Sequence, residues 1–288
     1  MRALVGVVVE GSFTAAAGRL GISPQLVSKY VGQLEEHLGV RLLNRTTRQV
    51  HLTEAGERYV QQARQILADI DDMESQAGDY QSSPRGLLRI SAPVSFASLH
   101  MAEPLVAFRR RHPAVGIDLQ LNDRKVDIID EGFDIALRIG QLRDSSLVAR
   151  RLADIRLVYA ASHEYLQRFG EPQSVAGLQQ HRFLKYSYMD SSLASTLAHR
   201  DDDFSSNNGE ILTQAAVAGD GIVLQPTFIA GPALRDGRLR QILKGQEPPA
   251  IGLYAVYAHR TLLSGKVRTF IDFMSGYFGE TPYWDQGL

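Results

Sequence analysis

From Ser12 to Leu38 the apolar and polar positions describe two short helices around a tight turn. Ser12 stands where it can cap the alanine-rich "FTAAAGRL", and Gly21, which tolerates a positive φ, is a natural stop. Ser23 predicts the cap of a second helix, with Pro24 at its first position, where a missing N–H costs nothing. In that helix Val27, Val31, Leu34 and Leu38 follow a 4-3-4 spacing and form the stripe expected to be buried. Gln25, Ser28, Lys29 and Gly32 fall on another face. They bring side chains able to read base edges or phosphates, a cation, and one position with no side chain to block close approach; an ordinary solvated face would look the same.

The stretch "RLLNRTTRQVHLT", Arg41 to Thr53, carries Arg41, Arg45 and Arg48 and no acid, and Val50 and Leu52 alternate with polar neighbours as in a short strand. A basic hairpin beside a helix-turn-helix is a wing, suited to phosphate or minor-groove contact. Thr53 then predicts the cap of a helix of about 25 residues, since no proline or strand pattern intervenes before Ser82 to Gly86. Its apolar positions Tyr59, Ala63, Ile66, Ile70, Met73, Ala77 and Tyr80 keep a heptad repeat, which Leu67 widens. Such a seam packs either on the chain's own domain or on a partner helix. The second case makes a symmetric dimer with two recognition helices, spaced by whole turns of DNA.

"SSPRG" is a polar break with Pro and Gly, the expected hinge to a second unit. Beyond it strands are expected at Leu87 to Ser91, Val115 to Leu121 and Phe133 to Ile139, with helices at Phe96 to Arg111 and Val126 to Glu131. A second set follows: strands at Leu157 to Ala161, Phe183 to Tyr186, Ile222 to Gln225 and Leu253 to His259, and helices at Glu164 to Arg168, Glu210 to Ala218 and Thr227 to Arg235, before a last helix Lys266 to Phe278. The βαβα order predicts parallel sheets with helices on their faces, arranged as two lobes between which the chain crosses twice.

Composition sets the bounds. A chain of 288 residues suits two or three domains; 44% hydrophobic and 22% charged residues describe a globular protein, and a net charge of -1 gives no global hint of nucleic acid. From Met1 to Val60 there are seven Lys or Arg against five Asp or Glu, so placement rather than total charge carries the nucleic-acid reading. Zero cysteines exclude disulfides, thiolate metal sites and a cysteine nucleophile, and fit a reducing cytoplasm. The apolar run "ALVGVVV" is too short for a membrane span and lacks a cleavage pattern, so a cytoplasmic location without membrane association is expected.

"EGSFTAAAGRLGISPQLVSKYVGQLEEHLGVRLLNRTTRQVHLTEAGE" closely resembles the DNA-binding domain of LysR-type transcriptional regulators over nearly fifty residues. The resemblance implies that Ser23, Pro24, Gln25, Ser28 and Lys29 belong to the recognition helix, and Arg45, Thr46, Thr47 and Arg48 to the wing. It also implies a linker helix that dimerises from Tyr59 to Tyr80, giving a homodimer or tetramer, with double-stranded operator DNA and possible RNA polymerase as partners. The family pattern starts further upstream, so Met1 is expected inside the first helix. Local propensity alone makes "LVGVVV" a strand, whereas the family requires a helix there, with Leu4 and Val8 packing on the later helices.

The second unit resembles the effector domain of the same regulators, an architecture similar to periplasmic solute-binding proteins. The resemblance is clearest in "LRISAPVSFAS", "FRRRHPAVGIDLQLNDRKVDIIDEGFDIALRIGQLRDSSLVARRLA", "AVAGDGIVLQP" and "LLSGKVRTFIDF". It implies an α/β chain of this plan: a winged helix-turn-helix domain over 1–53, a linker helix over 54–81, a hinge over 82–86 and a two-lobed effector domain over 87–288. Lobe I takes about 87–160 and 263–288, and lobe II about 161–262.

In that fold a small effector sits between the lobes, where carboxyl ends of parallel strands form a crevice. Ser95, expected to cap the helix at Phe96, is one contact for a ligand carboxylate and otherwise a plain N-cap. Phe96 beside it is core or lid. Arg138 supplies a cation, unless it pairs with Asp134 or Asp154. Asn208, Gln225 and Pro226 complete the ring. Asp220 replaces the apolar residue usual in the "AGDGIV" turn.

His181, His199 and His259 lack metal-ligand spacing, "HRDDDF" reads as a solvated acidic loop, and no nucleophile elbow, P-loop, zinc-protease helix or dinucleotide fingerprint is present, so neither metal, cofactor nor catalysis is expected. The rival readings are a cytoplasmic solute-binding module without a regulatory role and an enzyme built on the α/β region.

Overall fold

The computed structural model describes residues 1–45, 50–78, 84–124, 127–141, 147–189, 204–258, 264–279 and 282–288. The chain divides into two compact units, Met1–Ser83 and Pro84–Leu288.

The first unit opens with α1 (Arg2–Glu10), α2 (Phe13–Leu20) and α3 (Pro24–Leu38). "LVGVVV" is helical despite its valines, because Leu4 and Val7 are wholly buried against Ala16, Val27 and Val31; tertiary burial overrides local propensity. Met1 is the N-cap residue of α1 rather than part of the helix. The Ser12 Oγ accepts from the Ala15 N–H at 3.1 Å and the Ser23 Oγ from the Leu26 N–H at 3.2 Å, with Gly21 at φ 65° closing α2 between them. Of the expected stripe on α3, Val27 and Val31 are buried and Leu34 packs partly against the core, but Leu38 at the helix end is exposed.

Strands β1 (Leu43–Arg45) and β2 (Val50–Leu52) form the antiparallel wing, with Leu43 opposite Leu52. Glu35 of α3 accepts from the Leu42 and Leu43 N–H groups at 2.8 and 3.0 Å, tying the wing to α3. The Thr53 Oγ1 accepts from the Gly56 N–H at 3.0 Å and starts α4 (Glu54–Gly78). Gly56 is required by close approach: a Cβ there would lie 2.0 Å from the Leu42 carbonyl oxygen.

The second unit holds two five-stranded sheets. The first runs β4 (Val115–Leu121), β3 (Gly86–Ala92), β5 (Ile135–Gly140), β12 (Ile251–Ala258), β6 (Leu147–Ile155). Strands β3, β4 and β5 are parallel, while β12 is antiparallel to both β5 and β6. The second runs β11 (Arg240–Ile242), β7 (Leu157–Ala161), β10 (Ile222–Pro226), β8 (Phe183–Tyr186), β9 (Ser205–Ser206). There β10, β8 and β9 are parallel, and β7 is antiparallel to β10 and β11. Both sheets are therefore mixed, not parallel as the helix–strand alternation suggests.

The lobe boundary also differs from the expectation. Strand β7 already belongs to the second sheet and β12 has returned to the first, so the crossings fall at Arg156 and just before Ile251, which pairs in register with Ile155.

Helices α5 (Val94–His100), α6 (Ala102–Arg111) and α10 (Gly265–Phe278) pack on the first sheet around Phe96, Phe108, Phe270 and Met274. Helices α7 (His163–Phe169), α8 (Gly209–Val217) and α9 (Thr227–Arg235) accompany the second, α9 sending Phe228 into the first core. The single helix expected over Phe96 to Arg111 is broken at Met101, because Pro104 lacks an N–H and its ring opposes the His100 carbonyl. The expected helix from Val126 to Glu131 is a series of turns over its described residues 127–131.

Candidate functional site

On α3 the wing-side helix presents Ser23, Pro24, Gln25 and Lys29 exposed and Ser28 half-buried, while Val27 and Val31 face inward. Ser23 caps the helix and Pro24 opens its first turn, and Ser23, Pro24 and Gln25 are all exposed there. A helix of this kind enters a major groove by its first turns. Arg45 ends β1; Thr46, Thr47 and Arg48 lie outside the described residues.

In the second unit the carboxyl ends of β3, β4 and β5 bring Val94, Asp123 and Arg138 together. Arg138 stands on β5, mostly buried; its Nη1 donates to the Leu137 carbonyl at 3.0 Å and its Nη2 is buried without a partner. Neither expected ion pair forms. Asp134 instead meets the buried Lys266, Nζ to Oδ1 at 3.4 Å, and Asp154 pairs with Arg151 at 2.6 Å. Burial holds the Arg138 guanidinium below its ordinary value, the direction expected of a cation removed from water.

The facing lobe supplies Gln225, 2% exposed, whose Nε2 also has no partner. Its Oε1 packs against α8, where a Cβ on Gly209 would approach it to 2.8 Å. Asn208 caps α8 through its Oδ1, which accepts from the Ile211 N–H at 3.0 Å, and Pro226 is the N-cap residue of α9.

Ser95 is not a cap. Pro93 holds that position, and the Val94 N–H donates to Asp123 Oδ1 at 3.0 Å, so Ser95 sits inside the helix and is buried. Phe96 is fully buried among Phe228, Phe278 and Trp284, with ring centroids 5.4 to 5.7 Å apart, and belongs to the core rather than to a lid. Asp220 pairs with Arg182 at 3.1 Å.

Sequence reasoning missed Asp123, Tyr186 and Glu210. Burial pushes the Asp123 carboxyl up; the Val94 amide and Arg138 pull it back, and Glu210, from the other lobe, raises it further. Burial also pushes the Tyr186 hydroxyl up, reinforced by Asp123. The available signal was "LND", a polar pair at the end of an alternating strand.

Among the described residues no three His, Asp or Glu converge as a metal site, and no helix is long and apolar enough to cross a membrane. His181 meets the Tyr165 hydroxyl at 3.3 Å; His199, His259 and most of "HRDDDF" lie outside the described residues.

A winged helix-turn-helix followed by a two-lobed α/β module defines a transcriptional regulator with its own ligand-binding domain. Residues 1–57 match the bacterial regulatory helix-turn-helix protein, lysR family, and residues 81–279 match the LysR substrate binding domain. The chain is 38% identical over 282 residues to an HTH-type transcriptional regulator of Xanthomonas campestris pv. campestris, covering 94% of this chain and 82% of that protein. It is 36% identical over 281 residues to the HTH-type transcriptional regulator CrgA of Neisseria meningitidis serogroup B, covering 94% and 93%. A solved structure of CrgA from Neisseria meningitidis, 33% identical, superposes with a TM-score of 0.60 over 96% of this chain and 97% of that one. The Vibrio cholerae virulence activator AphB, 29% identical, gives 0.56 over the same shares. The chain belongs to the LysR family of transcriptional regulators.

Proposed function

We propose that this regulator acts in the cytoplasm as a homodimer or tetramer. Two copies of α3 read a pseudo-palindromic operator, and a small organic acid bound between the lobes alters the assembly that RNA polymerase meets. Gln25, Ser28 and Lys29 contact base edges and phosphates, with Ser23 and Pro24 setting the helix entry, while Arg45, Thr46, Thr47 and Arg48 hold the backbone. The observation that carries the effector reading is the pair of buried, unpartnered donors, Arg138 Nη2 and Gln225 Nε2, on opposite lobes. Two orphan donors suit an acceptor-rich anion, since leaving each unmade is costly. A ligand that touches both lobes shifts their equilibrium by its differential affinity for the closed arrangement.

The DNA reading is tested on duplexes selected from a random pool. Gln25→Ala should relax preference at one base position by about 1–3 kcal/mol, while Arg45→Ala or Arg48→Ala should weaken binding to every sequence and reduce the salt slope by about 1. Identical behaviour of helix and wing variants across sequences would reject this division.

A further inference from the structure

The anion-binding reading leaves one charge unexplained: an acid stands beside the cation. Asp123 Oδ1 accepts the Val94 N–H, and the carboxylate takes no other hydrogen bond from the described residues. Arg138 is near enough to act on it electrostatically yet forms no ion pair with it. From the other lobe Glu210, in the first turn of α8, acts on the same carboxylate with like charge. Arg124 and Glu131, which also act on Arg138, hold each other in a two-pronged pair at 2.8 and 2.9 Å. Among the described residues Asp123 and Glu210 thus face the guanidinium of Arg138, which has no ion pair, with Gln225 wholly enclosed beside the α8 amino terminus. A simple carboxylate would satisfy Arg138 and Gln225 and leave Asp123 and Glu210 opposed across the cleft.

We propose that the effector is amphoteric: an α-amino acid whose carboxylate is held by Arg138 and Gln225 and whose ammonium is held between Asp123 of one lobe and Glu210 of the other. The inference rests on the reading that the cleft binds an acid, and it narrows that acid's class. An ammonium placed there replaces a repulsion across the cleft with two attractions, so the same group that is recognised also draws the lobes together. Asp123 and Glu210 are then the specificity-determining residues, and Arg138 the general anchor.

The test is calorimetric titration of the full chain with the common amino acids and, in parallel, with each compound's deamino counterpart, for example aspartate against succinate and phenylalanine against 3-phenylpropanoate. At least one amino acid should bind, and its deamino partner about tenfold or more weaker. Asp123→Asn, which keeps an acceptor for the Val94 N–H, should abolish that discrimination, and Glu210→Gln should reduce it; Arg138→Gln should weaken both members of the pair. Circular dichroism checks that each variant is folded. Equal binding of both members, or discrimination that survives in both acid variants, overturns the amphoteric inference while leaving the anion site intact. Binding of deamino acids that is indifferent to Arg138→Gln overturns the anion reading itself, and a panel in which nothing binds overturns the amino-acid class.

Discussion

His100 joins three parts of the chain through one ring. Its Nε2 lies 3.0 Å from the Phe228 carbonyl, which can only accept, so this nitrogen carries the proton; Nδ1 is left to accept from the Tyr283 hydroxyl at 2.7 Å. Only the neutral ring can do both. Burial, with a smaller push from Arg235, holds its pKa below the ordinary histidine value, against the pull of the Phe228 bond. A depressed folded value means that the stabilisation is complete above about 6.5 and is lost as pH falls from there through the folded value. The chain's single tryptophan, Trp284, has its ring centroid 5.1 Å from that of His100, tilted by 56°, and reports on this corner. Its fluorescence should change as pH falls below about 6.5, in step with a fall in melting temperature, and His100→Gln should remove most of that dependence. A variant that titrates as the parent does would show that other groups set the acid sensitivity.

Elements whose ends are set locally were legible in the sequence. Ser12, Ser23, Thr53 and Gly21 each act within a few residues of the boundary they define, so α2, α3 and the start of α4 could be drawn from spacing, whereas α1 needed the family resemblance. Where an end is set from afar, reading failed. The start of α5 is capped by Asp123, 29 residues away, which left Ser95 looking like the cap. Strand β6 went unseen because "LVARRLADI" exposes its arginines and alternates poorly, and its partner β12 arrives from the far end of the chain. In the cleft, Arg138 and Gln225 were readable as polar residues at strand ends, whereas Asp123, Tyr186 and Glu210 acquire meaning only when the lobes face each other.

One glycine pair tests element packing. Gly56→Ala forces the α4 start away from the Leu42 carbonyl and should destabilise by about 1–3 kcal/mol. Gly18→Ala, in α2 with open space around it, should instead stabilise by about 0.5–1 kcal/mol in chemical denaturation. A Gly56→Ala variant as stable as the parent would refute the close contact.

For the whole molecule the seam of α4 is where assembly is to be tested. Ala63 is buried, and Tyr59 and Val60 pack on the first unit's own core, but Ile66 is 44% exposed within the heptad seam. The side chains of Met73 and Ala77 and all of Tyr80 lie outside the described residues. An apolar side chain left open at a seam position favours a second helix over the chain's own domain, so Ile66→Glu in the full chain should lower the sedimenting mass by one assembly step. An unchanged mass would return the seam to a role within one protomer.

The paired crossings at Arg156 and just before Ile251 carry a mechanical corollary. Two covalent straps leaving one lobe side by side make a door with adjacent pins, which swings about one line and resists sliding. A ligand that closed the lobes would therefore be expected to change one angle between them.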